Sequence, residues 1–557
     1  MGHRDSKTIL SPDKRASVRG RASALVELPV RIFIDRTSLR ISAAAMSIVM
    51  TLYPVLTFAQ SVPAGVTNII PDGRTATTVT TNGNTSTVTT NTISGPDAFN
   101  SYSRFEIGAG NVGNLILPNG TSNLINLVNG ITPTTINGTL NAYKNGQIGG
   151  NVYFADPNGF VVGRSGVVNV GSLNVTTPTR EFMGSVIGAG GQINQGAVSN
   201  LLAGTVPVSP DGNIRIRGRI NAVDAVRLTG QNVFVGSRDQ ASRNHANAFS
   251  SSVNSTGLRS ANGIVVKNGT IQIVAANDAK INTRLAARNG GTVTIDAGRN
   301  VDIGAKAKIT ADSRTGAAGS IAVNAGQDIK VAGFGTVSAK SAAGNAGTII
   351  VLAQRNLDVA ANSNFDVSSA QGNAGFIELS ARQNAAIGVA NINLSAPDGL
   401  AGTLLIDPYD LLIGAGTSSG NNEVSASIIV NGGNVVLQAD NSITVAAGFS
   451  IDTRNFNRSA GALSVSNASL GNSGSVTLEA PTITINGNIL TNTINTSATH
   501  WNAGDVLLEA TVSKSISSSS HTAGTSITIG STGIVNASVG GNSSNNTAMA
   551  GNISHSA

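Results

Sequence analysis

Between residues 291 and 402, apolar and polar positions alternate in short bursts that return every 28 residues. Gly291, Gly319, Gly347 and Gly375 mark the period, and Gly402 follows one residue early. Two residues past the first four glycines stand Val293, Ile321, Ile349 and Ile377. Four residues past stand Ile295, Val323, Val351 and Leu379, and six past stand Ala297, Ala325, Ala353 and Ala381. A second burst holds Val301/Ile303, Ile329/Val331, Leu357/Val359 and Ala385/Ile387, and a third centres on Ile309, Val337 and Phe365. Alternation of period two marks each burst as a half-buried strand. Three strands per period, closed by a corner such as Gly344-Asn345-Ala346-Gly347, describe one coil. The pattern predicts an all-β chain, a right-handed parallel β-helix (solenoid). One coil cannot bury its own apolar face, whereas stacked coils bury it in a continuous column.

If the period is one coil, like positions stack. Nine residues past the glycines stand Asn300, Asp328, Asn356 and Asn384, expected at the corner between first and second strands as a structural ladder. Short amide and carboxylate side chains there would tolerate a left-handed backbone and bond from coil to coil. Two residues further on, Asp302, Lys330 and Asp358 point outward by alternation, a favourable charge stack. Gly-x-Val/Leu bursts recur at Gly474 and Gly504, the stretch 414–470 is looser, and the pattern is lost from about Gly540. A β-helix running into low-complexity sequence without a cap reads as a truncated chain. Roughly 500 mature residues at about 28 per coil give around 18 coils and a rod on the order of 85 Å, with almost no helix.

The first 59 residues differ. Residues 1–40 are basic and polar, and Ile41–Ala59 is apolar but broken by Pro54. This reads as an extended signal peptide cleaved near Ala59 or Gln60. The formal net charge of +7 belongs largely to that leader, which holds nine Lys/Arg against four acids. No basic run remains for nucleic acid. Cysteine is absent, which is compatible with export and removes thiol chemistry.

Catalytic and cofactor motifs are not found. Gly108-Ala-Gly-Asn-Val-Gly113 matches a dinucleotide glycine pattern, but Leu115-Ile-Leu-Pro118 cannot open the helix that phosphate binding needs. The five histidines are isolated, without metal-ligand spacing. Calcium nonapeptide repeats and Arg-Gly-Asp are missing, and Asn-x-Ser/Thr sequons follow from composition. A polysaccharide-cleaving β-helix would need clustered carboxylates on one face. Five residues past the glycines the series reads Asp296, Asn324, Leu352, Ser380, which keeps no such cluster. Asp407-Pro-Tyr-Asp410 is the densest acidic group and reads as a turn. The chain is expected not to be an enzyme and to need no cofactor or metal.

Residues 97–179 carry an ordered series of motifs. It opens at Asp97-Ala-Phe-Asn-Ser-Tyr-Ser-Arg-Phe-Glu-Ile-Gly-Ala-Gly110 and continues through Leu117-Pro-Asn-Gly and Asn123-Leu-Ile-Asn-Leu-Val128. It ends in Gly150-Asn-Val-Tyr-Phe-Ala-Asp-Pro-Asn-Gly-Phe-Val-Val-Gly, followed by a strand to Val175. The series resembles the secretion domain of filamentous-haemagglutinin-type two-partner-secretion exoproteins. Over Val66–Met183 it is most similar to the leukotoxin-type filamentous adhesins. Asp156 stands where the family carries Asn, and Phe160 where it carries Ile. By its own chemistry Asp156-Pro157-Asn158-Gly159 is a β-turn: an Asp acceptor, a Pro that fixes φ, and Asn-Gly that tolerates positive φ.

The resemblance implies a secreted or surface-exposed filamentous adhesin of a Gram-negative bacterium, carried by Sec export and the periplasm to an outer-membrane partner transporter. Asp156, Pro157, Asn158, Gly159 and Phe160 would form the secretion-motif turn. Residues 1–59 would be the leader and 60–285 the capped two-partner-secretion domain, acting as secretion signal and β-helix nucleus. Residues 286–413 would be regular repeats, 414–540 less regular ones, and 541–557 a low-complexity end. The expected partners are the transporter and a host-cell or surface receptor, and the rod is expected to be a monomer. The alternative is a carrier rod for a toxin or contact-dependent inhibition protein whose compact C-terminal domain is missing. A cytolysin acting directly on membranes is a third class, with no feature of its own in the residues.

Overall fold

Strands one coil apart lie side by side and parallel. The computed structural model describes residues 65–188, 191–236, 263–414, 423–424, 427–456, 468–496, 500–511, 525–541 and 549–556, all within one compact unit, residues 60–557. Thr292–Ala297 pairs with Ser320–Ala325, then Thr348–Ala353, then Phe376–Ala381, with Val293, Ile321, Ile349 and Ile377 in register. The second strands pair Val301 with Ile329 and Ile329 with Leu357, and the third strands pair Ile309 with Val337 and Val337 with Phe365. The predicted inward positions are buried, down to the alanines that close each first strand. The fold is a parallel β-helix of three-stranded coils.

The recurring glycine has a steric cause. A Cβ on Gly319 would stand 1.8 Å from the Gly291 carbonyl oxygen, and one on Gly347 1.7 Å from that of Gly319. The corner stacks backbone on backbone, leaving no room for a side chain. The same approach recurs at Gly474, Gly504 and Gly551. Strand stacking therefore persists where the sequence period lengthens: Leu404 pairs with Val435, Val435 with Val476, and Val476 with Val506. Ile553–Ser556 still pairs parallel with Val506–Glu509, so the coil pattern runs past residue 541, where the sequence had lost it.

The N-terminal coils differ in two ways. Asn68–Pro71 and the hairpin Thr77–Asn82/Thr85–Thr90 are antiparallel, and the second arm of the hairpin lies parallel on Val112–Ile116. They cover the first coil. Two helices were not predicted, α1 (Arg180–Val186) and α2 (Gln195–Ala203). Thr179 caps α1 by accepting from the Phe182 amide, and Asn194 caps α2 by accepting from those of Gly196 and Ala197. Met183, Val186, Val198 and Leu201 pack on Phe99, Ile125, Leu127 and Ala155, the outward residues of three stacked strands. Those strands are apolar on both faces because both faces are covered, which explains the non-alternating run Asn123-Leu-Ile-Asn-Leu-Val128.

Candidate functional site

The turn at 156–159 joins the first strand of its coil, Asn151–Ala155, to the second, Gly159–Val162. The Gly159 amide donates to the Asp156 carbonyl at 3.1 Å, closing it. The Asp156 side chain is buried, 1% exposed. Its carboxylate accepts four hydrogen bonds. The Thr134 amide and hydroxyl donate to Oδ2 at 2.7 and 2.8 Å, and the Asn158 amide and Nδ2 donate to Oδ1, both at 2.9 Å. Asn158 Nδ2 also donates to the Gly130 carbonyl at 3.0 Å. Arg180, at the start of α1, donates to that same carbonyl at 3.0 Å and to Asn158 Oδ1 at 2.5 Å. The turn thus ties its own coil, the preceding coil and the helical insert at one point.

Gly159 and Phe160 complete the site. Gly159 has φ +111°, and a Cβ there would stand 2.3 Å from the Asn213 carbonyl oxygen of the next coil. Positive φ falls on Gly159 and not on Asn158. Phe160 is fully buried and ends an aromatic file through the coil interior. Tyr102–Phe105, Phe105–Phe154 and Phe154–Phe160 have ring centroids 5.0, 5.1 and 5.4 Å apart, an edge-on to tilted geometry that aromatic pairs favour.

Burial pushes the Asp156 carboxyl up to about 7, against the four hydrogen bonds that favour its ionised form. The folded chain therefore keeps a proton that the unfolded chain releases near pH 4. Stability from this group is present at low pH and is lost as pH rises from about 4 to about 7, by at most about 1.4 kcal/mol per pH unit. Asp156→Asn, which removes the charge, should remove this part of the slope. The check is urea unfolding of both proteins at pH 4.5, 6 and 7.5, read as the difference between them, because Asp407 also titrates in that window. Parallel pH profiles would show that Asp156 is ionised throughout.

The other sequence candidates are placed as follows. Ala59 and Gln60 lie outside the described residues. Asn300, Asp328, Asn356 and Asn384 stand at or just before the start of second strands. Asn356 Nδ2 donates to Asp328 Oδ1 at 2.9 Å, and Asn384 Nδ2 donates to Asn356 Oδ1 at 2.8 Å. The Asp328 amide donates to Asn300 Oδ1 at 3.3 Å. Arg355 donates to Asp328 and holds its carboxyl below the ordinary range. None of the four has positive φ, so the left-handed part of their expected role is corrected. Among the described residues the non-glycine positions with positive φ are Asn145, Asn289, Phe334 and Asn362. In the charge stack, Lys330 pairs with Asp358 at 3.5 Å.

One feature of the outer face escaped the sequence reading. The fifth position past the corner glycine holds Asp407, Glu479 and Glu509 in later coils, with the neutral Gln438 between the first two: Ser380 pairs with Asp407, Gln438 with Glu479 and Glu479 with Glu509. Burial, then Asp440, Glu378 and Glu479, push the Asp407 carboxyl up to about 6. Asp407-Pro-Tyr-Asp410 bridges two strands as a corner, with Asp410 accepting from Asn441 and Ser442. Among the described residues no cluster of three or more His, Asp or Glu is placed to hold a metal, and no helix is long and apolar enough to cross a membrane.

No known protein family and no curated protein matches the chain. Among solved structures, the HMW1 secretion domain from Haemophilus influenzae aligns with a TM-score of 0.40 at 13% identity, covering 86% of this chain and 99% of that one.

Proposed function

We infer that the chain is an exported protein whose N-terminal coils, residues 60–285, direct passage through an outer-membrane two-partner-secretion transporter. The later coils form a shaft displayed at or beyond the surface of a Gram-negative cell, where its role is adhesion to a host-cell or surface receptor. The observation that carries the reading is the buried turn at Asp156–Gly159, with Phe160 beneath it. The residues by which the chain resembles filamentous-haemagglutinin-type exoproteins are those that tie the first coils together. The apolar leader before residue 60 agrees with export. The regular array supplies length.

Asp156→Ala with Asn158→Ala removes the carboxylate acceptor and the Asn158 bond to the Gly130 carbonyl. Secretion of the full chain from cells carrying a partner transporter should fall about tenfold or more, from several buried hydrogen bonds each worth about 1 kcal/mol. The measurement is the ratio of protein in medium and on the surface to protein retained, with and without the transporter. Equal export of wild type and double variant would reduce the turn to a corner, and export undiminished without a transporter would exclude the route.

A further inference from the structure

The secretion-type turn and the amide ladder occupy one corner of the β-helix. Gly159 pairs with Asn213, and Asn213 with Asn232. Asn232 Nδ2 donates to Asn213 Oδ1 at 2.7 Å. Asn232 Oδ1 then accepts from the Asp278 amide at 3.3 Å, and Asp278 Oδ1 accepts from Asn300 Nδ2 at 3.0 Å. From Asn300 the bonds run on through Asp328 and Asn356 to Asn384. Seven consecutive rungs, Asn213 to Asn384, are linked without a gap, and the first is seated on Gly159. The helical insert leaves and rejoins the coil here too, with Thr177 Oγ1 donating to the Gly212 carbonyl at 3.0 Å.

We propose that the Asp156–Gly159 turn seeds this ladder and so sets the register in which the later coils dock. This rests on the reading of the N-terminal coils as the part that folds first. The chemistry is directional. Each rung presents a carbonyl or carboxylate oxygen at the open edge, and the incoming Asn or Asp supplies an amide. A one-residue slip removes that donor and turns the apolar side chains outward. Gly159 fixes the starting position, because the Asn213 carbonyl can approach only a residue without a Cβ.

The test is pulsed hydrogen exchange during refolding of the full chain. Protection should appear at 134–136 and 159–162 first, then pass along the second strands to 384–387. Asn232→Ala, which does not touch the turn, should slow protection of 279–282, 301–303, 329–331 and 356–359 by about tenfold, leaving 134–136 and 159–162 at the wild-type rate. Asn232→Asp keeps the acceptor for the Asp278 amide and should recover most of the rate. Asn384→Ala, the last rung, should leave every earlier rung unchanged. Slowing that spreads equally to both sides of Asn232, or stops at its two neighbours, overturns the proposal. Because no transporter is present, the two readings separate. Ordered refolding with normal export of turn variants defeats the export reading alone, and lost export with unordered refolding defeats the ladder alone.

Discussion

Gly159→Ala should destabilise the turn and the coil above it by about 3 kcal/mol or more, the sum of a strained backbone and a forced separation. At φ +111° an alanine is held where L-residues rarely sit, and its Cβ would lie 2.3 Å from the Asn213 carbonyl oxygen. The strain cannot relax by moving a side chain, since the obstacle is backbone already in a strand. Either the turn opens, breaking the Thr134 and Asn158 bonds to Asp156, or Asn213–Ile216 lifts off Gly159–Val162. Gly120→Ala is the control, because Gly120 has φ +80° with open space around its Cβ direction. It should cost only the backbone part, about 1 kcal/mol. Coil stacks unfold locally, so the readout is native-state exchange of the amides at 159–162 and 213–216 for Gly159→Ala and of those at 121–128, next to its own turn, for Gly120→Ala. Equal losses in the two variants would mean that the close approach carries no energy.

The regular array was legible because one steric rule repeats. The glycine corner admits no side chain, so its residue recurs at constant spacing and carries the flanking inward valines and isoleucines into register. Where coils change length, as between Leu404 and Val476, the rule still holds in space but is not periodic in sequence. For the same reason the turn and the ladder are separate features in the sequence. The insert between Thr177 and Gly212 hides that Gly159 and Asn213 are neighbours. The acidic column was missed because it begins after the fourth repeat.

The helices were missed for a different reason. Thr179, Asn194 and Gly204 are ordinary capping residues. Seven and nine residues are too few for a helical period to stand out beside valine-rich strands. The runs they cover, such as Phe99 and Ile125-Asn-Leu127, broke the alternation that marks a strand with one wet face. Phe334, exposed at φ +68°, is a left-handed position that no residue preference points to; it lies in the turn closed by the Gly335 amide on the Ala332 carbonyl, and its own amide donates to the carbonyl of Asn362, the left-handed residue one period later.

Phe160→Ala should lower the stability of the N-terminal coils by about 3–5 kcal/mol, the usual range for truncating a buried phenylalanine. Phe160 has no exposed surface and meets Phe154 at 5.4 Å, which in turn meets Phe105. The cavity would open against strands tied above and below by ladder bonds, Thr134–Ile136 and Asn213–Ile216, so the backbone can collapse little and the loss should lie at the high end. Phe160→Ile, the residue usual in the proteins this segment resembles, fills part of the space and should cost about 1–2 kcal/mol, including the lost ring pair. Asp156 accepts from Thr134, the in-register partner of Phe160. Phe160→Ala should therefore also expose the carboxylate and flatten the pH dependence described for it, whereas Phe160→Ile should keep that dependence. Exchange of the 134–136 and 159–162 amides at pH 4.5 and 7.5 measures both effects at once. A Phe160→Ala protein with near wild-type protection and an unchanged pH profile would mean that the aromatic file is not what seats the turn.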